Sequence, residues 1–359
     1  MSIVTIIGAG MMGSAMSRPA VDRGCEVRLV GTPLDTEIIT SIQNTGRHPT
    51  LRADMPAEVR AYQFSAVDQA LTGCELVICG VSSFGIDWFT AEVLPRLRDG
   101  LTVLSITKGM ELGERGELVT FPEKWKALRP GLTFVAVGGP CICFELMARR
   151  HTLVHFVSAD PGAAERTAAM LETDYYHLRP TNDVIGVECA VAMKNAYALG
   201  VSLAVGMAER EKGITGADDM RGTATTGAPD HNPVYNPQAA LFAQSCLEMR
   251  RLIQLLGGNG DFAGAIPGAG DLYVTVFGGR TRRLGTLLGR GLTFPEVKKV
   301  MNGVTLEAVA IITRAAEALR IRAARGEVEL KSFPLLMHMD AILNQGAPVN
   351  PPWSEFGRP

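Results

Sequence analysis

Residues 2–23 read SIVTIIGAGMMGSAMSRPAVDR. A β-rich run from Ser2 to Ile7 leads into Gly8-Ala9-Gly10-Met11-Met12-Gly13, and Ser14 to Arg23 can form a helix. Strand, glycine turn and helix in that order give the G-x-G-x-x-G pattern its meaning. Gly8 permits a tight turn, Gly10 lets a pyrophosphate approach the main chain, and Gly13 lets the helix pack against a sheet. The start of the helix then faces the anion. This stretch predicts a dinucleotide site at the head of a parallel α/β sheet.

Further strands follow at the spacing of such a sheet. Glu26–Val30 is the second, and Gly31-Thr32-Pro33 follows it where an acid would favour NAD or an arginine NADP. Asp35 comes slightly late, so the sequence leaves the choice between NAD and NADP open. Glu75–Val81 ends in Ser82-Ser83, and Leu101–Ile106 ends in Thr107-Lys108-Gly109. Ligands sit beyond the carboxyl ends of strands in open sheets, so Lys108 is expected near the glycine turn. Leu132–Val137, Leu153–Ser158 and Tyr175–Leu178 complete the strands.

From Asp183 the pattern turns helical. Asp183 to Ala208, DVIGVECAVAMKNAYALGVSLAVGMA, carries only Glu188 and Lys194 as charges after a plausible Asp183 N-cap, and predicts a helix buried on most of its circumference. A lysine there needs a partner, because an unpaired ammonium loses several kcal/mol on leaving water. Glu188 lies on another face, so the partner must come from elsewhere in the chain. Residues Glu209–Pro237 are polar and rich in glycine and proline, which predicts a long loop or flap. Gln238–Leu256 is an amphipathic helix. Next comes GAGDLYVTVFGGRTRR from Gly268, in which Asp271 and Thr275 share one helical face and Gly278-Gly279 leaves room beside Arg280. Two more helices span Phe294–Leu319.

The chain has 359 residues, 47% hydrophobic and 20% charged, with a net charge of -2. That is room for about two domains, divided at 181/182, and it gives no electrostatic case for nucleic acid or an anionic membrane. The apolar helix is a poor lipid-facing segment with Glu188, Lys194 and Asn195 in it, so no membrane insertion is expected. The absence of a basic leader predicts a cytoplasmic protein. Cysteines sit mostly in apolar runs, and Cys141-x-Cys143 lacks a second pair at zinc spacing, so no metal is expected.

In order, GAGMMGSA, SITKGME around Lys108, NDVIGVECAVAMKN through Lys194-Asn195, GAGDLYVT and GGRTRR resemble the motifs of the NAD(P)-dependent sn-glycerol-3-phosphate dehydrogenases. The resemblance implies an α/β fold: an N-terminal Rossmann-type doubly wound sheet over 1–181, which binds NAD or NADP, and an all-helical C-terminal domain over 182–359 for the substrate. It implies catalytic roles for Lys194, as general acid/base, and for Lys108 and Asp271. Substrate contacts fall on Lys108, Asn195, Thr275, Arg280 and Thr281. Cofactor contacts fall on Gly8, Gly10, Met11, Met12, Gly13, Ser83, Lys108, Arg280 and Glu307. The implied substrate is a phosphorylated ketone, dihydroxyacetone phosphate interconverting with sn-glycerol 3-phosphate, and a homodimer is implied as well. Thr281 where the family has Asn, Cys141-Ile142-Cys143 beside the cleft, Ser82 in place of a proline, and the long loop are departures. They admit a larger polyol phosphate. An enzyme for a non-phosphorylated hydroxy acid would not need Arg280, and a non-catalytic dinucleotide sensor would need neither Lys194 nor Lys108.

Overall fold

A computed structural model of the chain describes residues 1–217, 234–304 and 306–358. It divides into two compact units, Met1–Gly109 with Thr120–Glu188, and Met110–Val119 with Cys189–Pro359.

The first unit is built on an eight-stranded sheet. From edge to edge its strands are Tyr176–Thr181, Thr152–Val157, Thr133–Gly138, Thr102–Ser105, Leu76–Cys79, Ile3–Ile7, Glu26–Val30 and Arg60–Tyr62. Six run parallel; Thr152–Val157 is antiparallel to Thr133–Gly138 and parallel to Tyr176–Thr181. Successive residues point to opposite faces, and both faces are covered. Val4, Ile6, Leu29, Ile78 and Leu104 enter one core, whereas Ile7, Val30, Val77, Cys79 and Val103 enter the other. The chain moves outward in one direction from Ile3–Ile7 through Glu26–Val30, then returns to its other side at Leu76–Cys79. That reversal opens a crevice at the carboxyl ends of the two strands, which receives the glycine turn.

The expected helix Ser14–Arg23 is in fact two, Met11–Ala15 and Ser17–Asp22. Pro19 is the physical reason: it has no N–H, and its ring crowds the carbonyl four residues back. A short edge strand, Arg60–Tyr62, and a two-stranded ribbon, Arg47–His48 with Ala53–Asp54, were not expected.

In the second unit the helix Val184–Glu211 runs through the apolar core, with Met193, Ala196, Tyr197 and Leu199 fully buried. Its most apolar 18-residue window is 83% buried, which accounts for its membrane-like composition. Asp183 caps it, Oδ1 accepting from Gly186 N–H at 2.9 Å. The helix continues to Glu211 and the next, Tyr235–Leu255, begins earlier than expected, so the loop read at 209–237 is trimmed at both ends. Residues 218–233 of that loop lie outside the described residues. Helices Asp271–Val276, Gly279–Gly289, Phe294–Val300, Glu307–Ala324 and Pro334–Gln345 complete the bundle. Segment 110–119 joins them: Arg314 Nη1 donates to Met110 O at 2.9 Å and Arg322 Nε to Gly116 O at 3.0 Å.

Candidate functional site

The glycine turn sits in the first unit, tied to the sheet by Gly8 N–H donating to Val30 O at 2.8 Å. Gly8 has φ +108°, and a Cβ there would lie 2.8 Å from the carbonyl carbon of Gly80. A Cβ on Gly13 would lie 2.3 Å from Gly8 O. Both positions need glycine because main chain meets main chain. Gly10 differs, since a Cβ there would meet nothing within 4 Å. Its missing side chain leaves open space at the start of helix Met11–Ala15, where the first-turn N–H groups have no partner within the helix. Met11 is exposed and Met12 half-buried. These features fit a pyrophosphate lying on the turn.

Two side chains hold this turn that the motif does not include. Asp35 Oδ2 accepts from Ala9 N–H at 3.1 Å, from Thr32 N–H at 2.8 Å and from the Thr32 hydroxyl at 2.8 Å. His48, fully buried, places Nε2 2.8 Å from Ala9 O. The late position of Asp35 had signalled an acid near the turn; His48 gave no signal.

The neighbouring strand ends converge on the same side. Thr107 Oγ1 donates to Val81 O at 2.7 Å, and a Cβ on Gly109 would lie 3.9 Å from Ser83 Cβ, so the turns carrying Ser83 and Lys108 adjoin. Lys108 Nζ donates to Gly139 O at 3.3 Å and lines a small apolar hollow with Met12, Ile106, Val137 and Cys141. Glu188, only 1% exposed, is a member of this region that sequence reasoning assigned no role. Burial pushes its carboxyl up to about 8; the Lys108 charge pulls it down and Glu123 pushes it up. Its Oε2 has no hydrogen-bond partner among the described residues.

The second unit holds the lysine centre. Lys194 Nζ donates to Asp271 Oδ1 at 2.7 Å and to Thr275 Oγ1 at 3.0 Å. Thr275 gives its own hydroxyl proton to Asp271 O at 2.6 Å, which turns an oxygen lone pair toward the ammonium. The side chains of Lys194 and Asp271 are 11% and 2% exposed, so this is a buried, charge-assisted contact. Asp271 opens its helix directly after a wide turn at Ile266–Gly270, which aims the carboxylate at the long helix. Asn195, next to Lys194, is half-buried.

Arg280 near the start of helix Gly279–Gly289 donates from Nη2 to Glu307 Oε2 at 2.7 Å, with side-chain exposures of 47% and 25%. Arg280, expected at both substrate and cofactor, and Glu307, expected at the cofactor, are thus paired with each other. Thr281 follows, half-buried. Among the described residues no group of three or more His, Cys, Asp or Glu side chains could hold a metal ion.

Comparison with known proteins points one way. The family described as NAD-dependent glycerol-3-phosphate dehydrogenase N-terminus matches residues 3–164, and its C-terminus counterpart matches 183–353. The NADP(+)-dependent glycerol-3-phosphate dehydrogenase of Archaeoglobus fulgidus is 33% identical over 321 residues, 89% of each chain. The glycerol-3-phosphate dehydrogenase [NAD(P)+] of Koribacter versatilis is 29% identical over 351 residues, 96% of this chain and 94% of that one. In fold, the chain is similar to the glycerol-3-phosphate dehydrogenase crystal structure from Coxiella burnetii, with a TM-score of 0.75 at 22% identity over 97% of this chain and 96% of that one. The corresponding structure from Plasmodium falciparum gives 0.79 at 15% identity over 100% and 95%.

Proposed function

This chain belongs to the NAD-dependent glycerol-3-phosphate dehydrogenase family, and from that premise we propose that it is an oxidoreductase interconverting dihydroxyacetone phosphate and sn-glycerol 3-phosphate with NAD or NADP. The observation that carries the reading is the buried Lys194 ammonium held by Asp271 and Thr275. Residues 1–181 serve as the dinucleotide-binding domain and 182–359 as the substrate and catalytic domain. The protein is soluble, and its cytoplasmic location and homodimeric state belong to the same proposal.

A bound nicotinamide dinucleotide supplies the hydride. Reduction of the ketone carbon turns its oxygen into an alkoxide, which needs a proton. Lys194 gives that proton from Nζ, and Asp271 and Thr275 hold the ammonium in place before transfer. In the reverse direction the neutral amine takes the hydroxyl proton, and the same two acceptors receive the ammonium formed. Lys108 and Asn195 orient the substrate, while Arg280, with Thr281 beside it, binds the phosphate through parallel N–H groups and fixes the carbonyl. Gly8, Gly10, Met11, Met12 and Gly13 cradle the pyrophosphate, with Ser83 and Lys108 at adjoining strand ends and Glu307 beside Arg280 completing the cofactor contacts.

The test is loss of nicotinamide absorbance with dihydroxyacetone phosphate, run separately with NADH and NADPH beside larger keto-phosphates and non-phosphorylated keto acids. Rapid oxidation with dihydroxyacetone phosphate is expected. Activity confined to another substrate would replace the substrate assignment, and tight dinucleotide binding with no turnover across the panel would point to a sensor.

A further inference from the structure

We propose that Asp35 and His48 are positioning residues for the dinucleotide, holding the main chain of Ala9 by its N–H and its carbonyl and so setting the shape of the turn. The inference rests on the reading that this turn binds a dinucleotide.

Ala9 lies between two glycines, whose conformational freedom makes the turn soft unless something outside it fixes it. Ala9 is gripped through both of its main-chain polar groups. Its N–H donates to Asp35 Oδ2 at 3.1 Å. Its carbonyl accepts from His48 Nε2 at 2.8 Å and from the Ser14 hydroxyl at 3.3 Å. His48 is itself locked, because Nδ1 accepts from Leu51 N–H at 3.1 Å. A main-chain N–H can only donate and a carbonyl can only accept, so the bound ring is neutral with its proton on Nε2. Asp35 is equally committed, since the oxygen that holds Ala9 also takes both Thr32 donors.

The same geometry bears on cofactor choice. An acid at the end of the second strand pairs with ribose hydroxyls in many dinucleotide folds. Here Oδ2 of the half-buried acid is committed to Ala9 and Thr32, and the role assigned to Asp35 is to hold the turn rather than to separate NAD from NADP. Asp35 works through the turn and acts on both dinucleotides alike.

The experiment titrates NADH and NADPH by nucleotide fluorescence against the full-length wild type and variants, with thermal unfolding measured alongside. Asp35→Ala and His48→Ala are expected to weaken both dinucleotides by the same factor, about tenfold or more, because a main-chain group of the buried Ala9 loses a hydrogen bond. Asp35→Asn keeps an acceptor oxygen and is expected to bind both within about threefold of wild type, with their ratio unchanged. Should the alanine variants fail to fold, two amides decide the matter. His48→Gln can still donate to Ala9, whereas His48→Asn can still accept from Leu51 but cannot reach Ala9; Gln is expected to bind and Asn to bind weakly. Equal binding by these two would make His48 merely structural. A selective gain for NADPH in Asp35→Asn would make Asp35 a ribose reader; either result overturns the proposal. A wild type that binds neither dinucleotide removes the underlying reading instead.

Discussion

Lys194 Nζ donates to Asp271 Oδ1 at 2.7 Å, joining positions separated by 77 residues in the chain, and Thr275 completes the contact at 3.0 Å. Each partner explains the other, because either charge alone would be buried without compensation. Lys194→Ala is expected to fold and bind dinucleotide while losing at least about a hundredfold in turnover, the scale of general acid/base catalysis. It should also lose stability, up to about 3–5 kcal/mol, because Asp271 is left unpaired. Steady-state kinetics and urea unfolding check the two halves independently. Near-normal turnover would remove Lys194 from the chemistry.

Much of this centre was legible in the chain. The lone lysine in an apolar helix demanded a distant partner, and the spacing of Asp271 and Thr275 put both on one helical face. The glycine turn was legible for the same kind of reason: its strand and helix are contiguous with it. What stayed hidden depends on contacts with no local period. His48 reaches Ala9 from a short ribbon, segment 110–119 leaves the first unit to pack on Glu307–Ala324, and the unpartnered Oε2 of Glu188 is a property of its surroundings. The break at Met16 was different, because Pro19 announces it in the sequence.

Glu188 makes a prediction about pH. Its carboxyl is raised from 4.5 to about 8, chiefly by burial, so the folded chain keeps a proton that the unfolded chain has released. The folded state therefore pays no ionisation penalty below about 4.5, loses stability as the pH rises through the 4.5–8 window, and levels off above it. Glu188→Gln cannot ionise. Its stability relative to wild type is expected to grow across that window, by about 5 kcal/mol at most. Urea unfolding of both proteins at acid and alkaline pH measures this, and a difference independent of pH would show that Glu188 ionises as a surface carboxylate does.

Arg280 and Glu307 form an ion pair that is partly open to water, so it contributes little to stability. Arg280→Ala is expected to change unfolding free energy by less than about 1 kcal/mol. Its effect on substrate should be far larger, since bidentate, charge-assisted contact with a phosphate is lost. A rise in KM for dihydroxyacetone phosphate of about tenfold or more is the expected result, set by loss of one such contact. An unchanged KM would place the phosphate elsewhere.

The helices carrying Lys194 and Arg280 meet main chain to main chain within the second unit. A Cβ on Gly289 would lie 2.3 Å from Leu203 O, and one on Gly206 would lie 2.0 Å from Thr286 O. Main chain cannot yield as the end of a flexible side chain can, so a methyl here must push the helices apart. Gly289→Ala is expected to cost about 3 kcal/mol, at the upper end of ordinary overpacking. Gly264, where a Cβ meets only Asp261 O at 3.9 Å, supplies the control, and its alanine variant should cost less than about 1 kcal/mol. Because the strained contact lies along the helix that bears Lys194, Gly289→Ala should also lower turnover while leaving dinucleotide affinity alone. Urea midpoints for the two variants test the packing, and a Gly289→Ala protein as stable as the control would mean that the two helices separate without strain.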